Sequence, residues 1–235
     1  MSSSGVKALF FDVFGTLVDW RSGVAREAES VLKPLGFSLD WLGFADAWRE
    51  QYQPAMEEVR TGRLAYAKLD VLHRQTLMRI LPRYDIDELA DTDLNTLTLA
   101  WHRLDAWPDV QPALSRLRQR FFIAPVSNGN TAIMCDLARR NDLHWDAILG
   151  ADTARDFKPK AAVYLAAADA LALDPGECMM CAAHGSDLRA AAASGLRTAF
   201  IARPEEHARF SESTPKMSVD LSCRTTLELA SQLGA

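Results

Sequence analysis

The chain has 235 residues, of which 49% are hydrophobic and 24% are charged. This composition predicts a folded globular protein and excludes a disordered one, and the length allows one large domain or a core with an inserted second domain. The net charge of -5 arises from interspersed acidic and basic residues without a basic stripe, so we expect no nucleic-acid partner. A small anionic substrate would therefore need positively charged side chains at its binding site.

The sequence also argues against a membrane partner. Its N-terminal segment, Met-Ser-Ser-Ser-Gly, leads directly into a short apolar run instead of a cationic segment followed by a long apolar one. No apolar stretch approaches the roughly 20 residues that a membrane-spanning helix needs. We therefore expect a cytoplasmic protein.

Strand-like apolar runs alternate with helical patterns along the chain, which predicts an α/β fold with a parallel sheet and crossover helices. The predicted strands are residues 6–11, 121–126, 147–149, 178–183 and 197–201. The predicted crossover helices are residues 113–120, 131–141, 161–171 and 188–194. The tail beyond Pro215 is predicted to add a last short strand and helix.

The long segment between the first two strands has no strand pattern, and most of it reads as amphipathic helix. The predicted helices in this segment are residues 23–35, 44–60, 67–81 and 88–104. We therefore predict an inserted α-helical cap domain over residues 20–107. The α/β core domain would then consist of residues 1–19 and 108–235.

Two prolines bear on these assignments. Pro54 is expected to kink or break the second predicted helix of the cap. Pro125 lies in the strand predicted over 121–126 and cannot donate a hydrogen bond to a sheet, which normally marks an edge strand or a bulge. We retain the strand because the polar Ser127-Asn128-Gly129 follows it directly, where function would tolerate a local irregularity.

The cysteines Cys135, Cys178, Cys181 and Cys223 are too few and too scattered for a disulfide framework. Cys178-Met-Met-Cys181 has the spacing of a redox motif, but its apolar surroundings predict a buried strand with no turn or helix start between the thiols. We interpret the pair as structural. A zinc site is not expected, because no second pair of soft ligands follows at a suitable spacing.

Polar side chains follow four of the predicted strands. In open α/β sheets the functional site lies at the carboxyl ends of the strands. The candidate site residues, in chain order, are Asp12 and Thr16, then Ser127 and Asn128, then Lys158, then His184 and Asp187. Core packing does not require such residues at four strand ends, so we expect them to meet. For Ser127-Asn128-Gly129 taken alone, a turn that closes a strand is an equally good interpretation.

Asp12 is the candidate nucleophile, because it is the single acid at the end of the first strand. Phe14 stands two residues further on, so no second carboxylate beside Asp12 could protonate a leaving group, which argues against phosphate-ester hydrolysis. Lys158 could keep Asp12 ionised and nucleophilic at neutral pH if it lies close by. Pro159 would fix the entry of the following helix so that the ammonium can turn back into the site.

The segment from Phe10 to Asp19 resembles the first motif of the haloacid dehalogenase-like hydrolases. Within it, Phe-Asp-Val-Phe-Gly-Thr-Leu resembles the type II 2-haloacid dehalogenase branch, where an aromatic residue replaces the second Asp of the phosphatases. The resemblance covers nearly the whole chain and implies a doubly wound, Rossmann-like core with a helical cap. It implies that Asp12 attacks carbon and that neither a cofactor nor a metal is used, since Phe14 replaces one of the two carboxylates that build the magnesium site in metal-dependent relatives.

Two further site residues follow from the resemblance. Arg49, preceded by a Trp, is similar to the Arg that binds the departing halide and the substrate from the cap, and a guanidinium is weakly hydrated and always charged. From the residues alone, Arg49 could equally belong to an exposed helical stripe with Arg60 and Arg63. Lys158-Pro-Lys-Ala-Ala-Val-Tyr164 is similar to a motif in which a Tyr follows the Lys by six residues, which gives Tyr164 a role in the site. The alternative is a core tyrosine.

The fourth motif departs from the family pattern. The best-known members have Ser-Ser-Asn followed by an Asp, whereas this chain has Ala182-Ala-His-Gly-Ser-Asp187. The resemblance implies that Asp187 holds Lys158 and helps to orient or deprotonate water. His184 could share the activation of water, because an imidazole can titrate near neutral pH; a spacer is the alternative. The histidines off the strand ends, expected to be surface or packing residues, are His73, His102, His144 and His207.

The resemblance therefore implies hydrolytic dehalogenation of short 2-haloalkanoic acids to 2-hydroxy acids and halide, through an aspartyl ester on Asp12. Thr16, Ser127 and backbone N–H groups would hold the substrate carboxylate or the developing oxyanion, and Asn128 and Arg49 would receive the halide. The expected partners are the 2-haloacid and the halide.

Two other functions remain as alternatives: a phosphatase of the same superfamily with a replaced general acid, and a catalytically silent binding protein that keeps the fold. The sequence leaves open the preferred acid and halide. It also leaves open the oligomeric state, with a homodimer among the options.

Overall fold

The computed structural model of the protein describes residues 5–206, 214–215 and 217–235. The main sheet contains β1 (Ala8–Phe11), β4 (Phe122–Ser127), β5 (Leu149–Gly150), β6 (Cys178–Ala182), β7 (Arg197–Ile201) and β8 (Leu221–Cys223). These strands are all parallel, in the order β5-β4-β1-β6-β7-β8. A separate antiparallel pair joins β2 (Val18–Asp19) to β3 (Asp105–Ala106).

The central strands are apolar on both faces because helices cover the sheet on both sides. Leu9 and Phe11 of β1 face one hydrophobic cluster, whereas Ala8 and Phe10 face the other, and all four side chains are fully buried. Alternate residues of a strand point to opposite faces, so continuous apolar runs are what a doubly covered parallel sheet requires. The doubly wound α/β fold that the sequence predicts is confirmed.

Helices occupy the chain between β2 and β3, and others cross over between the strands of the main sheet. The first group is α1 (Trp20–Leu32), α2 (Trp41–Glu50), α3 (Tyr52–Arg60), α4 (Leu69–Ile80) and α5 (Asp91–Thr98). The second group is α6 (Val110–Leu117), α7 (Thr131–Arg140), α8 (Ala151–Ala154), α9 (Ala161–Ala170), α10 (Gly185–Ala193) and α11 (Thr226–Gln232). We refer to residues 20–102 as the helical segment; the division of the chain into two domains stays a prediction.

The structure accommodates Pro54 and Pro125 without the loss of a backbone hydrogen bond from a helix or from the strand pair β4–β5. The helix predicted over 44–60 is two helices, separated at Gln51, and Pro54 lies in the first turn of α3, where a backbone donor has no helical partner. Pro125 lies within β4 opposite Phe11. The backbone N–H of Ile123 points toward Asp146, on the β5 side of β4. Pro125 therefore turns its nitrogen to the same side, and pairing with β5 begins only at Val126.

The Cys178–Cys181 pair is a structural part of the sheet, as predicted. Both residues lie in β6 as free, buried thiols, one in each of the two hydrophobic clusters. Burial raises the pKa of Cys178 to about 11 and that of Cys181 well above its usual value. Neither thiol is therefore a reactive thiolate.

None of the helices in the described part of the chain combines the length and the apolar character needed to cross a membrane.

Candidate active site

The carboxyl ends of the central strands bring the predicted polar residues together. Asp12 directly follows β1, Asn128 follows β4 and His184 follows β6. Lys158 enters from the loop before α9, and Asp187 lies in the first turn of α10. Because all these strands are parallel, their ends meet at one edge of the sheet, as expected for an α/β site.

Asp12 is the centre of this cluster and is 7% exposed. The Lys158 ammonium donates to Oδ1 of Asp12 at 2.8 Å, and the Thr16 hydroxyl donates to Oδ2 at 2.7 Å. Nδ1 of His184 lies 3.0 Å from the same Oδ2 atom. Burial alone would raise the pKa of Asp12, but Lys158 and His184 hold it well below its usual range. Asp12 is therefore an ionised carboxylate at neutral pH.

Lys158 is shared between two carboxylates. Its Nζ lies 2.5 Å from Oδ2 of Asp187, and the Tyr164 hydroxyl donates to Oδ1 of Asp187 at 2.6 Å. Burial favours the neutral amine, but Asp12 and Asp187 raise the pKa of Lys158 above its ordinary value. The backbone N–H of Lys158 donates to Oδ1 of Asn128 at 2.7 Å. The ammonium is therefore charged and fixed in position.

His184 is also held between two carboxylates. Nδ1 faces Asp12, and Nε2 lies 3.1 Å from Oε2 of Glu206. Burial lowers the pKa of His184, but the hydrogen bonds to Asp12 and Glu206 raise it to about 10. The imidazolium form of His184 is therefore stabilised in the resting protein, because both ring nitrogens face anions, and a role of His184 in the activation of water stays a prediction.

A cavity of about 960 Å³ opens on this cluster. The sheet edge contributes the side chains of Asp12, Asn128, Lys158, His184 and Asp187 to its lining. The helical segment contributes Arg49, Tyr52, Gln53, Glu57, Arg60 and Thr61. The nucleophile candidate and the predicted anion-binding Arg49 therefore line one cavity.

Phe14 is part of the cavity wall, two residues after Asp12. Its ring makes edge-to-face contacts with Trp101, at a centroid distance of 5.7 Å, and with Tyr52, at 6.4 Å. Only 2% of Phe14 is exposed. The ring of Phe14, which has no ionisable group, thus stands where a second carboxylate could have stood.

Arg49 reaches the cavity from α2 and is stacked on aromatic rings. Its guanidinium carbon lies 4.0 Å from the ring centroid of Tyr52 and 5.3 Å from that of Trp20. Such cation–π contacts stabilise a guanidinium with few water contacts. The exposed-stripe interpretation does not apply, because Arg49 is only 9% exposed.

Thr16, Ser127 and Tyr164 lie one layer behind the cavity lining and are fully buried. The Thr16 hydroxyl donates to Asp12 and accepts from the backbone N–H of Ala183 at 2.9 Å. The Ser127 hydroxyl accepts from the backbone N–H of Gly129 at 3.0 Å. These contacts fix the loops around the nucleophile, and the assignment of the three residues as substrate contacts stays a prediction.

Glu206 and Tyr52 are among the residues of the site that the sequence did not identify. Glu206 follows β7, a strand whose carboxyl end was not among the four considered. Tyr52 lies three residues after Arg49, so helical spacing could have placed both on one face even though the helix breaks between them. No motif surrounds either residue.

The remaining histidines have different environments. His73 is buried and stacks on Trp101 at 4.3 Å, and burial lowers its pKa to about 3. His102 is buried too, but it is hydrogen-bonded to two aspartates instead of merely packed. His144 is on the surface beside Asp142. His207 lies outside the described residues.

Within residues 5–206, 214–215 and 217–235, no group of three or more His, Cys, Asp or Glu side chains could hold a metal ion.

The fold and the site together define a class: an α/β protein with a buried Asp–Lys–Asp cluster at the carboxyl edge of a parallel sheet, facing a cavity that the helical segment closes from the other side.

Comparison with known proteins identifies the family. The haloacid dehalogenase-like hydrolase model matches residues 6–195, so the chain belongs to this family, and the resemblance found in the sequence is confirmed. The chain is similar to the solved structure of the defluorinating L-2-haloacid dehalogenase Rha0230, with a TM-score of 0.95 and 40% identity over 99% of this chain and 98% of that chain.

Two further relatives are similar over most of their length. The L-2-haloacid dehalogenase PA0810 gives a TM-score of 0.93 and 42% identity over 98% of this chain and 99% of that chain. The (S)-2-haloacid dehalogenase 4A of Burkholderia cepacia is 29% identical over 201 residues, which is 84% of each chain.

Proposed function

We propose that the protein is a 2-haloacid dehalogenase that converts short 2-haloalkanoic acids to 2-hydroxy acids and halide. The observation that carries the proposal is that an ionised Asp12, the uncharged ring of Phe14 and the guanidinium of Arg49 line one cavity. This arrangement offers a nucleophile and an anion site, with no carboxyl group at position 14 to protonate a leaving group. The names of the similar proteins support the same activity.

In the first half-reaction, a carboxylate oxygen of Asp12 attacks C2 of the substrate and displaces the halide with inversion at carbon. The new bond is an ester between Asp12 and the substrate, and the halide leaves with the bonding electron pair. Halide needs no proton to depart, so the absence of an acid at position 14 does not hinder this step. Arg49 and Asn128 line the cavity where the halide would be received.

In the second half-reaction, water attacks the carbonyl carbon of the Asp12 ester and releases the 2-hydroxy acid. Asp187 holds Lys158 beside Asp12, and His184 contacts Asp12 from the other side, so these three residues complete the catalytic group. In this proposal Thr16, Ser127 and Tyr164 contribute by holding neighbouring loops and side chains in position. Backbone N–H groups stabilise the developing oxyanion.

The cations around the cavity suit an anionic substrate despite the negative net charge of the chain. Arg49, Arg60, Lys158 and Lys160 all line the cavity. Together with the His184 imidazolium, these cations outnumber the three carboxylates of the lining, those of Asp12, Glu57 and Asp187. A substrate carboxylate would therefore meet a positive potential, which raises its local concentration. This is the local positive charge that the composition requires of such an enzyme.

The proposal is tested by halide release from chloroacetate and from each enantiomer of 2-chloropropionate, with EDTA present. We expect turnover of chloroacetate and of the (S) enantiomer, with the 2-hydroxy acid inverted and no effect of EDTA. Asp12→Asn is the control, because the amide is nearly isosteric but a poor nucleophile. It should fold normally, as judged by circular dichroism, and release no halide.

Other outcomes would point to the alternatives. Halide release by Asp12→Asn within about tenfold of the wild type would contradict the ester mechanism. Magnesium-dependent hydrolysis of p-nitrophenyl phosphate, without halide release, would identify a phosphatase. No turnover of any haloacid by the folded wild type would leave the binding-protein alternative.

A further inference from the structure

Glu206 is a buried acid that the mechanism above does not use. Its side chain is 2% exposed, and its Oε1 accepts a hydrogen bond from Nε1 of Trp20 at 3.0 Å. Its Oε2 lies 3.1 Å from Nε2 of His184. The side chain also packs on Gly15, where an added Cβ would come within 2.1 Å of Oε1. A carboxylate held this closely must remain paired with a cation or a strong donor.

The two cations on Asp12 are arranged alike. Lys158 contacts Oδ1 of Asp12 and has Asp187 as its second carboxylate, whereas His184 contacts Oδ2 and has Glu206. When Asp12 becomes an ester, each cation loses the charge of Asp12 and keeps one carboxylate. Lysine, with an ordinary pKa of about 10.4, still keeps its proton there, whereas histidine, with an ordinary pKa of about 6.5, is able to release one.

The other groups around the ester are less suited to accept a proton from water. Both oxygens of Asp187 are already engaged, one by Lys158 and the other by Tyr164. The Thr16 hydroxyl is fixed between Asp12 and the backbone N–H of Ala183. Nδ1 of His184 faces the reacting carboxylate itself, so loss of its proton would leave a lone pair beside the ester.

We propose that Glu206 is a positioning residue that holds His184 by Nε2–H, and that formation of the ester on Asp12 converts His184 from a resting imidazolium into the base that deprotonates the hydrolytic water. The inference rests on the proposed function. It places the release of the reaction's proton in the first half-reaction, together with the halide.

The proton balance is complete without another reactant. In the first half-reaction, Asp12 forms a bond to C2, the halide leaves with its electron pair, and the Nδ1 proton of His184 passes to solvent. In the second, water adds to the ester carbonyl and gives one proton to Nδ1. The tetrahedral intermediate then expels the alkoxide of the product, which takes up the remaining proton of the added water. The resting Asp12 carboxylate and His184 imidazolium are restored.

The test compares Glu206→Gln with Glu205→Gln, which makes the same charge change on the exposed neighbouring residue. Acid quenching and intact-protein mass spectrometry would measure the ester on Asp12, and halide release would measure its formation. In Glu206→Gln we expect ester hydrolysis to slow by about tenfold to a hundredfold, below the effect of losing the general base itself. Ester formation should stay within about threefold and ester should accumulate. Glu205→Gln should behave as wild type.

The time at which the proton is released distinguishes a positioning role of Glu206 from a merely structural one. With a pH indicator in the stopped flow, at about pH 7.5, Glu206→Gln should release one proton for each ester trapped, before the hydroxy acid appears. His184→Asn, which has no imidazole, should trap ester without releasing a proton. Equal slowing of both half-reactions in Glu206→Gln, or no proton release with its ester, would overturn the proposal.

The wild type gives an independent measurement if Glu206→Gln does not fold. The charged groups around His184 are Asp12 from the end of β1, Glu206 from beyond β7, and Lys158 on the other oxygen of Asp12. In the ester state, protonation of His184 should block water activation, so the steady-state fraction of ester should rise as the pH falls below about 7. A fraction that stays constant would refute the role of His184. A wild type that forms no ester at all would instead refute the proposed function.

Discussion

At the scale of single residues, Asp12 illustrates how a buried nucleophile is kept ionised without leaving other charges unpaired. Three donors contact its two oxygens, and both cations among them have a second carboxylate nearby. Removing one partner of a buried ion pair is costly when the other charge is left alone. Because Lys158 keeps Asp187 and His184 keeps Glu206, alkylation of Asp12 leaves neither cation without an anion.

A substitution of Arg49 tests the contribution of a single side chain to activity. Arg49→Lys should lower kcat/KM for 2-chloropropionate by about tenfold to a hundredfold, which is about 1.4–2.7 kcal/mol and matches the loss of one charged hydrogen bond. Lysine keeps the charge but lacks the planar guanidinium that stacks on Tyr52 and Trp20. Steady-state halide release measures the effect.

Arg63→Lys is the matched control for Arg49→Lys, because Arg63 is an exposed residue whose guanidinium pairs with Glu58. Its kcat/KM should equal that of the wild type. If Arg49→Lys retained full activity as well, the guanidinium of Arg49 would have no part in binding the halide or the substrate.

At the scale of elements, the long apolar and amphipathic segments were predictable, whereas the pairing of two short strands that flank the helical segment was not. The predicted strand 197–201 matches β7, and the helix predicted over 67–81 matches α4, because each has several residues of clear periodicity. The strands β2 and β3 have two residues each, which is too short for any pattern. Their pairing depends on tertiary contacts.

The site residues, too, divide into those that the sequence could identify and those that it could not. Asp12 and Lys158 could be identified because strand ends and a proline-bounded loop mark them in the sequence. Glu206 could not, because its role depends on how the chain after β7 turns back over Gly15 and Trp20. The resting charge of His184 could not be inferred from the sequence for the same reason, since its pKa depends on a partner distant in sequence.

The N-terminal cap of α1 should contribute measurably to the free energy of unfolding. The Asp19 side chain accepts a hydrogen bond from the backbone N–H of Ser22 at 3.1 Å and caps the helix that leads away from the nucleophile loop. Asp19→Ala should lower the free energy of unfolding by about 1 kcal/mol, whereas Asp19→Asn should retain most of the stability, since Asn caps equally well. Urea titration followed by circular dichroism measures both.

Lys68→Ala provides the comparison for Asp19→Ala. Lys68 stands at the same position before α4 but makes no capping hydrogen bond through its side chain. Its replacement should change the free energy of unfolding by less than about 0.5 kcal/mol. Equal losses in Lys68→Ala and Asp19→Ala would show that the cap of α1 contributes nothing specific.

At the scale of the whole molecule, polar contacts connect the helical segment to the sheet edge around the cavity. The Tyr66 hydroxyl donates to Asp152 at 2.6 Å, and Arg60 donates to the backbone carbonyl of Lys158 at 2.7 Å. His102, at the end of the helical segment, lies 2.7 Å from Asp136 of α7 and 2.9 Å from Asp70 of α4. The relative position of Arg49 and Asp12 therefore depends on contacts well outside the cavity.

His102 makes this connection dependent on pH. Burial lowers its pKa, but the hydrogen bonds to Asp70 and Asp136 raise it above the ordinary value of about 6.5. A group whose pKa is raised on folding contributes its full stability below the unfolded pKa and loses it as the pH rises through the folded pKa. The same contacts lower the pKa of Asp70, so that acid remains ionised at mildly acidic pH.

His102→Gln should therefore destabilise the protein in a pH-dependent manner. Glutamine can hydrogen-bond to one aspartate but carries no charge, so we expect a loss of about 1 to 2 kcal/mol in the free energy of unfolding near pH 5.5. The difference from wild type should shrink as the pH rises through the raised pKa of His102, because the wild type then loses the same charge. Urea titrations at a series of pH values measure it, and His144→Gln, at an exposed histidine, is the control that should stay within about 0.5 kcal/mol of the wild type near pH 5.5. A difference that is constant with pH would mean that the charge of His102 does not hold the helical segment to the core.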